Sequence, residues 1–406
     1  MCVEQGEYKQ GAQGGGVVLS PNERDLVMAV LERGPVARQE LLTELDISAP
    51  SLTRLSKRFV DLGVFTEIPN MDAFQDQSLA VGRPSKGYQL NPDHGRVIGV
   101  KLTGHNAYGV LTDLTGNLLG EAETHFDNSH PKTVVNAILQ VTQELSPDNL
   151  LGLGVALGGQ VSDQGVVERA PFLDWRNVDL KTLLQDRINT EATNTETTKA
   201  ETTNIQVTVE NDVVALAEGL RLFGVAREEP DFALITIGAG VGQALVVQNR
   251  VVRSAESGLG LGGHIPLDGT GPYCDLGHRG CSQAMLTIGS MTAQLEAALD
   301  KKLSYAQLLQ QAEQGAPAPS AIVEGSARAL GRMIATTANL SASNVVVLGG
   351  EGTGLWQVAE DQVVAQALRY RDPGSLPLQI LVDQAGFQSW ALGAAASALL
   401  TYLRSL

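Results

Sequence analysis

The stretch from Gly260 to Gln283, GLGGHIPLDGTGPYCDLGHRGCSQ, concentrates side chains that could bind a metal. It holds two of the three cysteines and two of the six histidines, set among glycines that permit tight turns. Two thiolates and two imidazoles could close a tetrahedral zinc site. The candidate ligands are His264, Cys274, His278 and Cys281. Their spacing matches no common zinc finger, so a glycine-rich loop with buried or free thiols is the alternative interpretation.

A second candidate site is the pair Asn211-Asp212, which follows the strand-like segment IQVTVE and begins a helical pattern. In an α/β protein, ligand-binding side chains gather where strands end. Asp212 could accept a hydrogen bond from a sugar hydroxyl, or act as a base if that hydroxyl is phosphorylated. Asn and Asp are also ordinary helix N-caps, so the pair alone does not decide between these roles.

A third set of residues could contact DNA. The segments ARQELLTEL and PSLTRLSKRFVDL, joined by a short turn and preceded by another helix, are typical of a helix-turn-helix. Hydroxyls and an arginine near the start of the second segment suit base edges, with basic residues further along for phosphates. An arginine in a Gly-Arg-Pro loop between two predicted wing strands suits a narrow minor groove. The predicted DNA contacts are Ser51, Thr53, Arg54, Lys57, Arg58 and Arg83. A solvated charged face on a small packing helix is the alternative.

Charge restricts where DNA could bind. The formal net charge is -16, which by itself opposes contact with a phosphate backbone. Between Ser20 and Arg96, however, nine Lys and Arg residues nearly balance eleven Asp and Glu residues. Most of the excess acid therefore lies in the rest of the chain, and a basic patch must be small and local.

The elements that position these residues fall into two or three domains, as expected for 406 residues. The N-terminal segment has no signal-peptide pattern, no apolar run is long enough to span a membrane, and three cysteines favour a reducing compartment. We therefore expect a cytoplasmic protein that lies on the bacterial nucleoid when bound to DNA. The predicted order is a disordered tail (1–19), a winged helix-turn-helix domain (20–92), a first α/β lobe (93–210 plus 386–406) containing a disordered threonine-rich insertion (190–204), and a second lobe (211–385).

These features together resemble the ROK family (repressors, open reading frames and kinases), and specifically its sugar-responsive transcriptional repressors. The resemblance is carried by VENDVVALAEG, TIGAGVGQALVVQNRVV, the metal-type segment, VVVLGGEG and the final LGAA, behind the winged helix-turn-helix. It implies an α/β fold with an actin-like, ribonuclease H-like body of two lobes, as in sugar kinases. It also implies a structural zinc and a homodimer or homotetramer.

The departures from the family pattern bear on activity. Kinases of the family hold ATP phosphates with an Asp-x-Gly-Gly-Thr loop, where this chain has Lys101-Leu102-Thr103-Gly104-His105. The loss of the carboxylate and of a glycine predicts that no ATP binds and that the protein is not an enzyme. The usual metal pattern has a cysteine where this chain has Leu276, so zinc would require His278 as its fourth ligand.

The sugar pocket is altered as well. The resemblance places effector-binding residues at Asn211, Asp212, His264, Phe172, Leu261 and Gln283. The last three replace one amide and two carboxylates of the family, which removes hydrogen bonds of roughly 1.5–3 kcal/mol each. We therefore expect a non-standard sugar or sugar-like effector in the interlobe cleft, controlling binding to double-stranded operator DNA. The alternatives are a sugar kinase fused to a DNA-binding domain and an effector-blind repressor controlled by a protein partner.

Overall fold

The computed structural model describes residues 19–71, 85–194 and 205–406. The predicted tail up to residue 18, the wing-tip arginine Arg83 and residues 195–204 of the predicted insertion lie outside these ranges. The beginning of that insertion is helical, because a helix continues from Leu180 through Asn194. The prediction that disorder starts at residue 190 is therefore wrong, since a threonine-rich sequence can extend a helix that tertiary contacts have already nucleated.

The N-terminal domain has the predicted winged helix-turn-helix arrangement. Ser20 caps the first helix in a reciprocal capping box with Glu23, and Pro21 occupies the first turn. The three strands form an antiparallel sheet in the order β1-β3-β2. Its elements are α1 (Pro21–Arg33), β1 (Val36–Ala37), α2 (Arg38–Glu44), α3 (Ala49–Asp61), β2 (Phe65–Ile68) and β3 (Gly87–Leu90).

The apolar residues that recur with helical spacing in and between the segments ARQELLTEL and PSLTRLSKRFVDL form the core of this domain. Four of them, Leu41, Leu52, Leu55 and Phe59, are buried. Three others are partly buried and pack against the same cluster: Leu42, Leu45 and Ile47. The helical spacing of apolar residues was therefore sufficient to locate this small core.

The first lobe is built on a five-stranded sheet in the order β11-β7-β4-β5-β6. The strands β4, β7 and β11 are parallel, whereas β5 and β6 run antiparallel to their neighbours. The strands are β4 (Arg96–Leu102), β5 (Asn106–Thr112), β6 (Leu118–His125), β7 (Leu150–Leu157) and β11 (Gln206–Asn211). A small antiparallel sheet and two helices complete the lobe: β8 (Gln160–Val161), β9 (Val167–Ala170), β10 (Trp175–Val178), α4 (Pro131–Leu145) and α5 (Leu180–Asn194).

The second lobe repeats the sheet topology of the first. Its order is β14-β13-β12-β15-β16, again three antiparallel strands followed by two parallel ones. Its strands are β12 (Phe232–Ile237), β13 (Val241–Val247), β14 (Arg250–Val251), β15 (Val345–Gly349) and β16 (Gln379–Val382). The helices in and beside it are α6 (Asp212–Leu222), α7 (Ser282–Leu286), α8 (Ile288–Leu299), α9 (Tyr305–Glu313), α10 (Pro317–Ser341), α11 (Gly354–Arg369) and α12 (Phe387–Ser405). Short 3-10 turns occur at Pro171–Leu173, Leu261–His264 and Glu351–Thr353.

The last helix, α12, packs on the sheet of the first lobe although it follows the second lobe in sequence. Its small residues allow a very close approach: a Cβ atom at Gly154 would overlap the carbonyl oxygen of Ala394. The same helix packs against α6, where Gly219 meets Gly393. The LGAA motif therefore serves backbone packing, because larger side chains would separate the helix from the sheet.

The same helix also joins the N-terminal domain to the body. Residues of α1 and α3 share one continuous apolar cluster with the end of α12, including Leu399, Leu400 and Leu403. His94 hydrogen-bonds through Nε2 to the hydroxyl of Tyr402 at 2.7 Å.

Among the residues that the structure describes, no helix has the length and apolar character to cross a membrane.

An ion pair at this junction makes stability depend on pH. Burial alone would raise the pKa of Glu23, but hydrogen bonds from Ser20 and the guanidinium of Arg58 lower it from 4.5 to about 2. Because the folded-state pKa is lowered, the stabilisation is present above pH 4.5 and is lost as the pH falls toward about 2.

Glu23→Gln should therefore lower the free energy of unfolding by about 1–2 kcal/mol at pH 7. The difference from the unmodified protein should shrink as the pH falls from 4.5 toward about 2. Urea unfolding at several pH values measures both effects. Asp25→Asn is a matched control because Asp25 is exposed on the same helix. A difference that stayed constant across this pH range would contradict the assigned role of Glu23.

Candidate functional site

The outward face of α3 carries most of the predicted DNA contacts. Thr53, Arg54 and Lys57 are exposed, and Ser51 is half-buried beside the N-cap Ser48. The helix begins at Ala49, one residue before the predicted start, because the Ser48 hydroxyl accepts from the amide of Ser51. The opposite face buries Leu52, Leu55, Ser56 and Phe59. An exposed polar face backed by a buried apolar one is what a recognition helix requires.

Arg58 does not share this exposed face, which corrects the prediction made from spacing. Its guanidinium donates to Glu23 at 2.6 Å and to the main-chain oxygen of Leu406 at 2.9 Å. Residues four apart on a helix lie about 40° apart around its axis, so Arg58 is displaced from Arg54 toward the body. Arg58 therefore joins the DNA-binding domain to the end of α12, and its guanidinium is already paired within the protein.

Arg38 is a residue that the sequence analysis did not assign. It lies at the start of α2 and donates to the Thr53 hydroxyl at 2.7 Å and to the Tyr88 hydroxyl at 2.6 Å. The Tyr88 hydroxyl also accepts from Ser56 at 2.8 Å. These bonds tie α2, α3 and the wing strand β3 together, and they fix the orientation of the exposed helix face.

The Asn211-Asp212 pair stands where β11 ends and α6 begins. Asn211 is the N-cap of α6, because its Oδ1 accepts from the amides of Val213 and Val214, each at 3.1 Å. Its Nδ2 donates to the carbonyl of Gly159 at 2.9 Å. The capping role that the sequence left open is therefore real, and the hydrogen-bonding capacity of Asn211 is largely used by the protein.

Asp212 forms a buried ion pair with Lys101. The exposed fractions of the two side chains are 12% and 8%, and the Lys101 ammonium also lies 4.7 Å from the centre of the Trp390 ring. By the resemblance to the family's kinases, Lys101 stands where their phosphate loop has a carboxylate, and its ammonium neutralises Asp212. Lys101 follows the apolar run VIGV of β4, and this charge was the sequence signal that could have indicated the pair.

The other predicted effector residues fall into two groups. Phe172 is 57% exposed, and its ring lies against Gly158 together with the Asp212 carboxylate, so it faces the Asn211-Asp212 pair. Leu261 is also 57% exposed and belongs to the loop that carries His264. Gln283 lies beside Gly263 in the same region.

The loops that carry these two groups meet one another. Gln160 in the first lobe donates to the carbonyl of Ala255 at 2.8 Å, and Gly258 lies against the carbonyl of Gly159. Asn211 donates a hydrogen bond to the same Gly159 carbonyl. The contact between Gly159 and Gly258 is thereby joined to the start of α6. The two lobes therefore touch directly beside the predicted effector site.

The glycine-rich turn around Gly238, which resembles the second phosphate loop of the family's kinases, lies beside a carboxylate. The Glu351 carboxylate occupies the space next to Gly238, where a Cβ atom would overlap it. Glu351 lies in the 3-10 turn that follows β15. A carboxylate at this position repels phosphate, and sequence analysis did not identify it.

A cavity of about 430 Å³ opens elsewhere, between the edge of the first sheet and the start of α12. Its lining includes the stacked rings of Tyr108 and Phe387, whose centroids are 4.3 Å apart, and the carboxylates of Glu121 and Glu123. None of the predicted effector residues lines it.

The four predicted metal ligands converge. Their ligand atoms all lie within 4.8 Å of one another, and the Nδ1 of His264 is 3.9 Å from the sulfur of Cys274 and from that of Cys281. Tetrahedral zinc with bonds of about 2.0–2.3 Å separates its ligands by about 3.3–3.8 Å, so these residues fit zinc with little movement. His278 belongs to the cluster, its ring centroid lying 4.8 Å from that of His264.

Local geometry explains how the loop brings these ligands together. Two isolated β-bridges, Pro266 to Cys281 and Tyr273 to Arg279, fold it back on itself. Gly280 has a positive φ of 57° and lies so close to the carbonyl of Asp268 that no side chain would fit. Leu276, which replaces the family's usual cysteine, is 68% exposed at the loop tip.

The electrostatics of the cluster favour the metal-binding forms of His264 and Cys274 and oppose that of Cys281. Burial and the neighbouring His278 lower the pKa of His264, which favours the neutral, metal-binding imidazole. Burial opposes ionisation of Cys274, but hydrogen bonds from main-chain amides of His278 and Leu276 lower its pKa nevertheless. Burial raises the pKa of Cys281. Both thiols are free of disulfides.

Comparisons with known proteins identify the family and the fold. The ROK family profile matches residues 97–400. The xylose repressor of Bacillus subtilis (strain 168) is 25% identical over 297 residues, which cover 71% of each chain. A solved ROK family transcriptional regulator, a homolog of the E. coli MLC protein, superposes with a TM-score of 0.76 at 21% identity, covering 95% of this chain and 96% of that one.

A ROK family glucokinase from Streptomyces griseus, solved with glucose and AMPPNP, superposes with a TM-score of 0.61 at 22% identity, covering 75% of this chain and 99% of the kinase. The predicted actin-like body of two lobes behind a helix-turn-helix domain is thereby confirmed. Because the family profile matches about three quarters of its length, the chain belongs to the ROK family.

Proposed function

We propose that this protein is a transcriptional repressor of carbohydrate-related genes. The observation that carries the proposal is the exposed hydroxyl and basic face of α3, on a winged helix-turn-helix that shares one apolar core with the body. The xylose repressor and the MLC-homologous regulator among its relatives support the same class of function. The protein acts where DNA lies, in the cytoplasm and on the nucleoid, and two copies present two recognition helices to adjacent operator half-sites.

The effector site lies beside Asp212, at the contact between the lobes. Phe172 and Leu261 expose large apolar surfaces there, whereas Asn211 and Asp212 are already paired within the protein. A sugar-like molecule with one apolar face and few hydroxyls suits such a surface better than an ordinary hexose, whose hydroxyls would lack partners. The effector alters DNA affinity by changing how the lobes are held relative to the DNA-binding domains.

The metal cluster holds a structural zinc. Four ligands that all come from the protein leave no open position for a substrate, in contrast to catalytic zinc sites. Main-chain hydrogen bonds, such as those from Leu267 to Gly280 and from Cys274 to His278, already fold the loop that carries the ligands. Zinc adds a covalent link among its ligands and so fixes the shape of this loop beside the effector site.

Operator selection with the full-length protein tests the repressor proposal. Random DNA duplexes are enriched through repeated binding, and the enriched sequence is then measured with and without D-xylose or D-glucose as probes. We expect one sequence, with two related half-sites, to bind roughly 10³–10⁷ times more tightly than unrelated duplexes. If enrichment yields no preferred sequence, the protein is not an operator-binding repressor.

We expect the protein to have no kinase activity, for two electrostatic reasons. Lys101 neutralises Asp212, which a kinase needs as a free base, and Glu351 places a negative charge beside the glycine-rich turn around Gly238. Incubation with ATP, Mg²⁺ and a panel of hexoses and pentoses should therefore release no ADP above the background rate. Turnover near the 1–100 s⁻¹ common for kinases would overturn this interpretation.

A further inference from the structure

A chain of ion pairs runs from the contact between the lobes to the DNA-binding domain. Arg253, in the segment that follows β14, donates to Glu210 at 3.2 Å and to Glu218 at 2.8 Å. Glu218 accepts from Arg221 at 2.6 Å, and Arg221 donates to Glu32 at 2.8 Å. Five charged side chains are therefore linked in series.

The members of this chain come from every part of the molecule. Glu210 lies on β11 of the first lobe, directly before Asn211, and its carboxylate accepts from the amide of Asn211 at 3.1 Å. Arg253 belongs to the second lobe. Glu218 and Arg221 lie on α6, whereas Glu32 lies on α1 of the DNA-binding domain.

The central residues of this ion-pair network are buried in the protein and do not lie on its surface. The side chains of Glu218 and Arg221 are 2% and 4% exposed, and Glu32 is 25% exposed. Leaving a buried charge without its partner strongly destabilises the folded protein. Paired residues of this network must therefore move together, or their ion pairs are lost. Surface ion pairs carry no such requirement.

The helix α6 joins the effector site to this network. Its N-terminal residue, Asp212, pairs with Lys101 beside the proposed effector, while its residues 218 and 221 face the ionic chain. The helix has 11 residues, which makes it about 16 Å long. A second contact joins the segment after α6 to the DNA-binding domain. There the guanidinium of Arg227 lies against Gly34, the residue that ends α1.

We infer that the series Arg253, Glu218, Arg221 and Glu32 couples movement between the lobes to the orientation of the DNA-binding domain. When an effector changes the contact between the lobes, Arg253 shifts relative to Glu210 of the first lobe, and the rearrangement reaches α1 through Glu218 and Arg221. This inference rests on the proposed function for its biological meaning. The coupling itself is a property of the protein and can be measured without DNA or effector.

A double-mutant cycle followed by hydrogen exchange tests the coupling in the full-length protein. Arg253→Gln weakens the second-lobe end of the chain, and Glu32→Ala removes its other end. Arg253→Gln alone should change the exchange rates of the α1 amides, residues 21–33, by about 2- to 30-fold. In the Glu32→Ala background the same substitution should change those rates by less than 2-fold. Arg253→Lys, which keeps the charge, should restore most of the original protection.

Two matched controls separate this route from general loosening. Arg250→Gln alters an exposed arginine of β14, three residues before Arg253, and Glu40→Ala removes an exposed carboxylate of α2 in the DNA-binding domain. Neither should alter the exchange rates of α1, nor should Glu40→Ala suppress the effect of Arg253→Gln.

Equal effects of Arg253→Gln in both backgrounds, or no effect in either, would overturn the inference. Operator selection by the unmodified protein decides the repressor proposal separately. A protein that selects no DNA sequence but shows the predicted cycle would refute the repressor function and retain the coupling. The reverse result would retain the repressor function and refute this route.

Discussion

Cys281→Ser should abolish zinc retention and greatly destabilise the second lobe. Native protein purified without chelator should contain close to one zinc per chain, and the variant less than about a tenth of that. Cys281 is buried at 1% exposure, so the substitution removes a ligand and leaves a buried hydroxyl in its place. Structural zinc sites in small peptides supply about 10–16 kcal/mol, and we expect several kcal/mol of this in the free energy of unfolding. Elemental analysis and thermal unfolding measure the two effects.

The neighbouring Leu276 provides the control for this experiment. It is 68% exposed in the same loop, so Leu276→Ala should leave zinc content and thermal stability unchanged. His278→Ala should weaken zinc binding less than Cys281→Ser, because water can replace an exposed imidazole more easily than a buried thiolate. Native protein with well under one zinc per chain would refute the metal site, whatever the variants do.

Arg54→Ala should lower affinity for the selected operator by about 5- to 150-fold and relax the sequence preference at one base pair of each half-site. Arg54 is exposed near the start of α3, where a guanidinium can donate two hydrogen bonds to a guanine in the major groove. Lys57 lies further along the same face, where phosphate contact is expected to carry no sequence information. Equilibrium binding to the operator and to single-base variants measures affinity and preference together.

Arg328→Ala is the matched control for Arg54→Ala. Arg328 is half-exposed on α10 of the second lobe and pairs only weakly with Glu324 at 3.9 Å. Its replacement should leave operator affinity within the error of the measurement. If Arg54→Ala and Arg328→Ala bound the operator equally well, α3 would not be the recognition helix.

Hydrophobic periodicity made much of the fold predictable. The winged helix-turn-helix and the start of α6 at Asn211-Asp212 both follow from local patterns. The metal ligands were also predictable, because two cysteines and two histidines lie within 18 residues. The end of the helix within the threonine-rich segment was less predictable. The helix is packed at its beginning, and the low apolar content beyond does not show where it ends.

Residue type and spacing alone determined which side chains could do chemistry: an exposed basic helix, an Asn-Asp pair and a metal cluster. Only the tertiary structure decided what those side chains do. Arg58 turned to Glu23 and Leu406, Asp212 paired with Lys101 from a strand 111 residues away, and Glu32 joined a chain of charges that crosses both lobes. The physical reason is that a charge removed from water must find its partner in space. Sequence separation does not indicate which partner that will be.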